Sequence, residues 1–299
     1  MTMLLQVEQL TKAFGDEKAT NAISFDLTEH TSTALIGPNG AGKTTTLSML
    51  AGLVTPTSGQ ITFHQEERQD IRELIGFLPQ YPKFFPWMTA LEFTEMAARL
   101  SGISAKKARR EAQKTLEFVG LGDALTKKTM TFSGGMKQRL GLAQAIVHKP
   151  KLLLLDEPVS ALDPVGRREI MNLLKELQQE VTILYSTHIL NDAEEMTDKL
   201  LFLRKGELVE QGNLEDVRHR HADPCIVIEF LTDNELQRFV KQTSWQARIK
   251  GLKLSIDAEK DSINMSTVLS VLHEGNFQIR KVEQQTASLE EIFMKVAMV

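Results

Sequence analysis

One cysteine, Cys225, is the whole thiol inventory of this chain. It excludes an intrachain disulfide and a multi-cysteine zinc site, fits a reducing compartment, and is expected to be buried filler. Long hydrophobic runs are also missing. A membrane helix needs roughly 18 uninterrupted apolar residues, and the densest block here, Leu152 to Leu155, stops at Asp156 and Glu157. The chain is therefore expected not to span a membrane itself. Met1-Thr2-Met3-Leu4-Leu5-Gln6-Val7-Glu8 has no basic region ahead of an apolar core, which argues against a secretory signal and makes cytosolic residence the default expectation. An excess of either charge is lacking: 35 Lys and Arg against 39 Asp and Glu give no electrostatic case for nucleic acid binding over the whole surface. The basic run Lys106, Lys107, Arg109 and Arg110 is mixed with Glu111 and Glu117 and has no alternating aromatics, so it reads as a solvated helix face. What remains is a globular composition, 299 residues at 42% hydrophobic, long enough for one large and one small domain.

Periodicity places the elements. Leu4 to Gln9 and Ala22 to Leu27 alternate as half-buried antiparallel strands around the turn Gly15-Asp16-Glu17, and Thr33 to Ile36 reads as a buried strand. A strand over Gln60 to His64 follows, then the apolar run Ile75 to Gln80, and two helical segments, Ala90 to Ser101 and Ala105 to Val119. A helix opens at Ser133-Gly134-Gly135 and runs through Val147. Lys151 to Asp156 reads as a parallel strand buried on both faces, followed by a helix over Val165 to Glu180, a strand over Val181 to Ser186, a helix over Ile189 to Thr197 and a last strand, Lys199 to Arg204. This alternation implies a doubly wound α/β core. Arg218-His219-Arg220-His221-Ala222-Asp223-Pro224 reads as a linker whose histidines are surface residues rather than metal ligands. Beyond it the order is strand (Cys225 to Leu231), helix (Asn234 to Gln242), strands (Gln246 to Lys250, Leu252 to Asp257), helix (Met265 to Glu274) and strand (Phe277 to Glu283). That predicts a small α+β unit of ferredoxin-like type, closed by a helix over Ser288 to Val296. It carries no nucleophile or carboxylate arrangement and is expected to bind or regulate.

The chemistry begins at Gly37-Pro38-Asn39-Gly40-Ala41-Gly42-Lys43-Thr44, a full match to GxxxxGK[ST] between a strand and the helical run starting at Thr45. Glycines let successive N–H groups converge on phosphate oxygens at a helix N-terminus. Lys43 would face the β- and γ-phosphates and Thr44 would ligate Mg²⁺. The run Leu152 to Leu155 delivers two acids at a strand's carboxyl end, Asp156 for Mg²⁺ and Glu157 to polarise the water that attacks the γ-phosphorus. His188, just past the strand Val181 to Ser186, is expected at the same edge, able to bond the γ-phosphate or the water. Gln80, at another strand end, has an amide able to reach Mg²⁺ or water. Ser133-Gly134-Gly135 is a second anion site in miniature, a hydroxyl and free N–H groups at a helix start; alone it equally reads as a plain helix cap.

In combination these motifs resemble the nucleotide-binding subunit of ABC transporters, over roughly Met1 to Gly212. Gly37 to Thr45 is the Walker A stretch, Gln80 matches the Q-loop, Phe132-Ser133-Gly134-Gly135-Met136-Lys137-Gln138-Arg139 the signature, Leu152 to Glu157 Walker B with its catalytic glutamate, Ser160-Ala161-Leu162-Asp163 the D-loop and His188 the H-loop. Phe14 falls where the family stacks an aromatic ring on adenine. Phe132, Met136 and Phe14 replace the usual leucine, glutamine and tyrosine. The appendage and the ending Ser288-Leu289-Glu290-Glu291-Ile292-Phe293 are similar to those of ATPases of bacterial drug, bacitracin and sodium or polysaccharide exporters.

The resemblance implies a P-loop ATPase domain over 1–216, with a mixed sheet, an antiparallel β subdomain and a helical subdomain at about 82–148, and an accessory domain over 217–299. It implies ATP and Mg²⁺ as cofactors. It implies a head-to-tail dimer, with a second copy or a paralogue, in which Lys43, Asp156 and Glu157 of one subunit face Ser133 to Gly135 of the other across ATP, with Asp163 at the shared boundary. Separate transmembrane permease subunits would be partners and the only membrane contact, with the chain peripheral on the inner face of the cell membrane and no nucleic acid bound. The aromatic stretch Tyr81-Pro82-Lys83-Phe84-Phe85-Pro86-Trp87-Met88 is the expected permease contact, against the plainer reading of local packing. The alternative function is a soluble ABC ATPase of DNA repair or translation, against which stand the single cassette, the single cysteine and the absence of sustained heptads.

Overall fold

Alternation of apolar and polar residues at the start of the chain builds a long antiparallel pair, β1 (Met3–Phe14) and β2 (Glu17–Thr28). The computed structural model describes residues 2–64, 71–160, 162–221, 225–243, 245–257, 263–285 and 289–298. Next come β3 (Ser32–Ile36), buried along its whole length, helix α1 (Lys43–Leu50), and β4 (Ser58–Phe63), which joins the free side of β1 in the order β2-β1-β4.

After β5 (Ile75–Leu78) the chain makes three helices, α2 (Ala90–Leu100), α3 (Ala105–Phe118) and α4 (Gly134–Ile146). α3 buries Ala108, Ala112 and Leu116, one every four residues, and turns Lys106, Lys107, Arg109 and Arg110 outward, the solvated face its sequence implies. Ala97, Ala98 and Ala108 form a small-residue contact between α2 and α3. α2 starts in a reciprocal cap: Thr89 accepts the Glu92 N–H at 3.2 Å while the Glu92 carboxylate accepts the Thr89 N–H at 2.8 Å. The same bonding holds the Glu92 carboxyl below its usual range.

The core then alternates strand and helix: β6 (Leu152–Asp156), α5 (Pro164–Leu177), β7 (Thr182–Thr187), α6 (Leu190–Met196), β8 (Lys199–Arg204) and β9 (Glu207–Asn213). The six-stranded sheet runs β5-β6-β7-β3-β8-β9, parallel except for its last strand. Lys199 to Arg204 is therefore not the last strand of the core. β9 has a polar, partly exposed sequence, ELVEQGN, and is held by its backbone ladder with β8 rather than by an apolar face.

Helix α7 (Leu214–His221) corrects a second expectation. The stretch Arg218 to His221 is helical, pinned by buried Leu214 and Val217 one turn apart; Ala222 to Pro224 lie outside the described residues. The remainder comprises β10 (Cys225–Phe230), α8 (Asp233–Gln242), β11 (Ala247–Lys250), β12 (Lys253–Asp257), α9 (Met265–Glu274), β13 (Ile279–Gln285) and α10 (Leu289–Met298). Its all-antiparallel order, β11-β12-β10-β13, with a helix after the first and third strands, is the ferredoxin-like arrangement. Its own core joins Ile226, Ile228 and Phe230 of β10 to Leu236 and Phe239 of α8 and Val268 and Leu272 of α9. Cys225 is partly exposed rather than buried filler, and Ser288, the expected start of the closing helix, lies outside the described residues. The chain divides into two compact units, Met1–Leu214 and Glu215–Val299.

Replacing Thr89 by alanine should remove the hydroxyl that accepts the Glu92 N–H, leave the bond from the residue-89 N–H to the Glu92 carboxylate, and lower stability by about 1 kcal/mol, read as a lower denaturant midpoint at unchanged slope; an unmoved midpoint would mean the hydroxyl cap contributes nothing.

Candidate nucleotide-binding site

Three parallel strands end side by side. The register pairs Ile36 with Thr187 and Asp156 with Ser186. The loop leaving β3, the acids ending β6 and the Ser-Thr-His run ending β7 therefore meet at the carboxyl edge of the sheet, where open α/β sheets bind ligands.

Residues 37–42 pack backbone against backbone. A Cβ on Gly37 would come 2.3 Å from the Leu203 carbonyl oxygen, and one on Gly42, at φ 104°, would come 2.3 Å from that of Ala19. The Gly206 N–H donates to the Ala41 carbonyl at 3.0 Å, and the Gly206 carbonyl accepts from the Asn21 N–H at 2.8 Å, tying the loop to the β8–β9 turn and to β2. No side chain caps α1, so the N–H groups of its first turn are free for an anion. Lys43 is buried, and its ammonium donates to the carbonyls of Gly37 at 2.7 Å and Pro38 at 3.2 Å and lies 3.9 Å from Glu157 Oε1. Burial lowers its pKa, against the opposing pull of Glu157 and Asp156.

Above the loop opens a cleft of about 570 Å³ lined by Phe14, Lys18, Asn39 to Thr45, Gln80, Glu157 and Lys205. Phe14 presents a ring that is 57% exposed, with the Lys12 ammonium 5.0 Å from its centroid. Lys18, near the start of β2, and Lys205, in the β8–β9 turn, add cationic walls that sequence reasoning missed; no motif marks either.

At the floor of the cleft is a polar chain centred on buried Asp156, Glu157 and Ser186. The Thr44 hydroxyl donates to Asp156 Oδ2 at 2.9 Å, and the Ser186 hydroxyl donates to Asp156 Oδ1 at 2.6 Å while accepting the Glu157 N–H at 2.9 Å. Glu157 takes φ 51°, a left-handed conformation that costs a non-glycine residue of order 1–3 kcal/mol. Its carboxylate accepts a bond from His188 Nδ1 at 2.7 Å. Because an ionised carboxylate only accepts, that nitrogen carries the proton, leaving Nε2 of the half-exposed ring for a ligand. Ser186 was also missed: one serine in an apolar strand gains meaning only through its register with β6.

The other predicted residues stand apart. Ser133, Gly134 and Gly135 do not line the cleft. Ser133 caps α4 by accepting the Met136 N–H at 3.3 Å, with Ser133 and Gly134 exposed and Gly135 partly so. Arg139, farther along this helix, anchors it by donating to the Val119 carbonyl at 2.6 Å and to Glu169 at 2.5 Å. Asp163 caps α5 through the Gly166 N–H at 3.1 Å, and Ala161 lies outside the described residues. In the aromatic stretch, Phe84 and Phe85 pack on Phe93 of α2 at 5.0 and 6.3 Å between centroids, and Tyr81, Trp87 and part of the Phe85 ring are exposed. Among the described residues no cluster of His, Cys, Asp and Glu could hold a metal by itself.

Residues 20–160 match the family model "ABC transporter", and residues 212–297 match "ATP-binding protein DrrA1-3-like, C-terminal domain". The chain is 42% identical to the uncharacterized ABC transporter ATP-binding protein YxlF of Bacillus subtilis (strain 168), across 98% of this chain and 99% of that one. It is 31% identical to the linearmycin resistance ATP-binding protein LnrL of the same organism, across 98% of both, and 37% identical to the bacitracin transport ATP-binding protein BcrA of Bacillus licheniformis, across 74% of this chain and 73% of that one. Among solved structures, the dimeric post-hydrolysis ATP-binding cassette MJ0796 bound to ADP and Pi superposes with a TM-score of 0.64 at 28% identity, covering 71% of this chain and 99% of that one.

Gly42→Ala should abolish ATP binding in an equilibrium titration while leaving the circular dichroism of the chain unchanged, since its methyl must displace the Ala19 carbonyl; normal affinity would refute the close-packing account.

Proposed function

We propose a function from one premise: this chain belongs to the ABC transporter ATP-binding proteins. It is an ATP-binding, ATP-hydrolysing subunit, and the reading advanced here is that it powers export of a bacterial drug-like substrate through separate membrane subunits. The names of the relatives in linearmycin resistance and bacitracin transport support the export direction. The soluble repair or translation reading is not favoured, because the match to transporter proteins covers the chain end to end.

The observation that carries the mechanism is the placement of Glu157 between the Lys43 ammonium and His188, at the mouth of a phosphate-sized loop. Adenine would stack on Phe14, and the phosphates would take the N–H groups of residues 39–45 while Lys43 exchanges its two carbonyls for the β- and γ-phosphates. Thr44 and Asp156 fit a magnesium ion: a hydroxyl and a carboxylate oxygen already 2.9 Å apart are the hard oxygen pair it takes from a protein, with Gln80 within the same cleft. Bound with nucleotide, that ion supplies neutralisation of phosphate charge. Glu157 holds a water by hydrogen bond, and the water's oxygen bonds to the γ-phosphorus as the bond to the β-phosphate oxygen breaks. ADP departs with the bridging oxygen, and the water's proton passes to the released phosphate or to Glu157. His188, fixed by Glu157 through Nδ1, directs Nε2 to the γ-phosphate.

Ser133 to Gly135 lie outside this cleft, so they would serve the ATP of a second subunit, and Asp163 would sit at that boundary. ATP then joins two chains and hydrolysis parts them, because only the triphosphate bridges both faces. Tyr81 and Trp87 offer the permease an apolar contact backed by the packed Phe84 and Phe85. Among the described residues no helix is long and apolar enough to cross a membrane, so the inner-face location would come through that contact. The ATPase part is taken as 1–216 and the regulatory part as 217–299.

Glu157→Gln should keep ATP affinity, lose nearly all turnover and run as a dimer with ATP on size exclusion; a monomeric, fully active variant refutes the role of Glu157. Tagged chain from its native membranes should bring down a polytopic membrane protein. Recovery with ribosomes or DNA and no membrane protein would end the export reading.

A further inference from the structure

Ser186 is fully buried and uses its one hydroxyl twice, as donor to Asp156 Oδ1 at 2.6 Å and as acceptor of the Glu157 N–H at 2.9 Å. A hydroxyl has a single proton, so committing it to the carboxylate turns the lone pairs toward the amide, and each bond orients the other. Two residues farther along, His188 takes hold of the Glu157 carboxylate at 2.7 Å. The end of β7 thus grips Glu157 twice, at its backbone and at its side-chain tip. A non-glycine residue at φ 51° keeps that conformation only where its surroundings over-determine it.

We propose that Ser186 is a positioning residue for ATP hydrolysis: its hydroxyl holds the left-handed backbone of Glu157 and the rotation of the Asp156 carboxylate, so that β7 sets where the water-orienting carboxylate stands. The inference deepens the reading of Glu157 given above and rests on it. The bonds of the Ser186 hydroxyl go to Asp156 and Glu157, and Ser186 is not among the residues lining the cleft. Its loss therefore separates turnover from binding. Without the hydroxyl, Asp156 Oδ1 loses a donor and the Glu157 amide an acceptor, and Glu157 is free to leave its strained conformation. Lys43 and the N–H groups that bind phosphate keep their places.

The test uses the full chain with ATP and Mg²⁺. Ser186→Ala should lower kcat about 10- to 100-fold, the usual effect of losing an outer partner of a site residue, with the equilibrium Kd for ATP measured without Mg²⁺, which does not call on Asp156, essentially unchanged. Ser186→Thr, which keeps the hydroxyl, should recover most of the lost kcat. The proposal is overturned by a Ser186→Ala chain with unchanged kcat, by ATP affinity falling in step with kcat, or by a Thr variant no better than Ala. Should Ser186→Ala not fold, Ser186→Cys, near in size and a weak donor and acceptor, must show the same split, and full activity of that variant overturns the proposal. Glu157→Gln run in parallel keeps the two failures distinct. If it still hydrolyses ATP, the premise about Glu157 falls; if it is inactive while Ser186→Ala is fully active, the inference about Ser186 alone falls.

Discussion

The lateral register of β6, β7 and β3 is the constraint on which the nucleotide end of the molecule depends. Asp156 stands opposite Ser186, and Ile36, where the phosphate loop departs, stands opposite Thr187. Because side chains alternate across a strand, a slip of one residue in either ladder would turn Asp156 or Ser186 to the other face and dissolve the network. What holds the register is apolar: Leu152 to Leu155, Ile183, Leu184, Ala34 and Leu35 are all fully buried. The chemistry is polar, but its alignment is secured by leucines that touch no ligand.

That apolar foundation carries several unfavourable local choices. Glu157 holds a left-handed backbone, Lys43 keeps an ammonium out of water, and Asp156 is buried with a carboxylate to satisfy. Each is offset locally, Glu157 by the grip from β7, Lys43 by two loop carbonyls and Asp156 by two hydroxyls. Strain and buried charge gathered at one strand edge are the mark of a site rather than of a core.

The sequence made the loop, the paired acids and the serine-glycine helix start legible because their residue types are dictated by chemistry at fixed local spacing. Where meaning depends on neighbours distant in sequence, it was not legible. Ser186 is an ordinary strand residue until β6 lies beside it, and Lys18 and Lys205 join the cleft only through tertiary folding. Strand β9 escaped because the expected apolar alternation is absent and its stability comes from backbone pairing with β8. Helix α7 escaped because its basic and histidine-rich surface outweighed two buried anchors, Leu214 and Val217. Cys225 was assigned by residue type alone, and a position at the first residue of a strand leaves it partly in solvent.

The hairpin joining β8 to β9 has no reactive side chain directed at phosphate chemistry other than Lys205, yet its glycine turn bonds to both Ala41 and Asn21. The Leu203 carbonyl just before it fills the space a side chain at Gly37 would need. The hairpin is thus the outer wall of a mould whose inner wall is the first antiparallel sheet, and the phosphate loop is cast between them. Trimming or lengthening that turn would alter the shape of the casting without changing any residue of the motif. Among chains sharing the same loop sequence, this seemingly dispensable edge is where differences in nucleotide grip would originate.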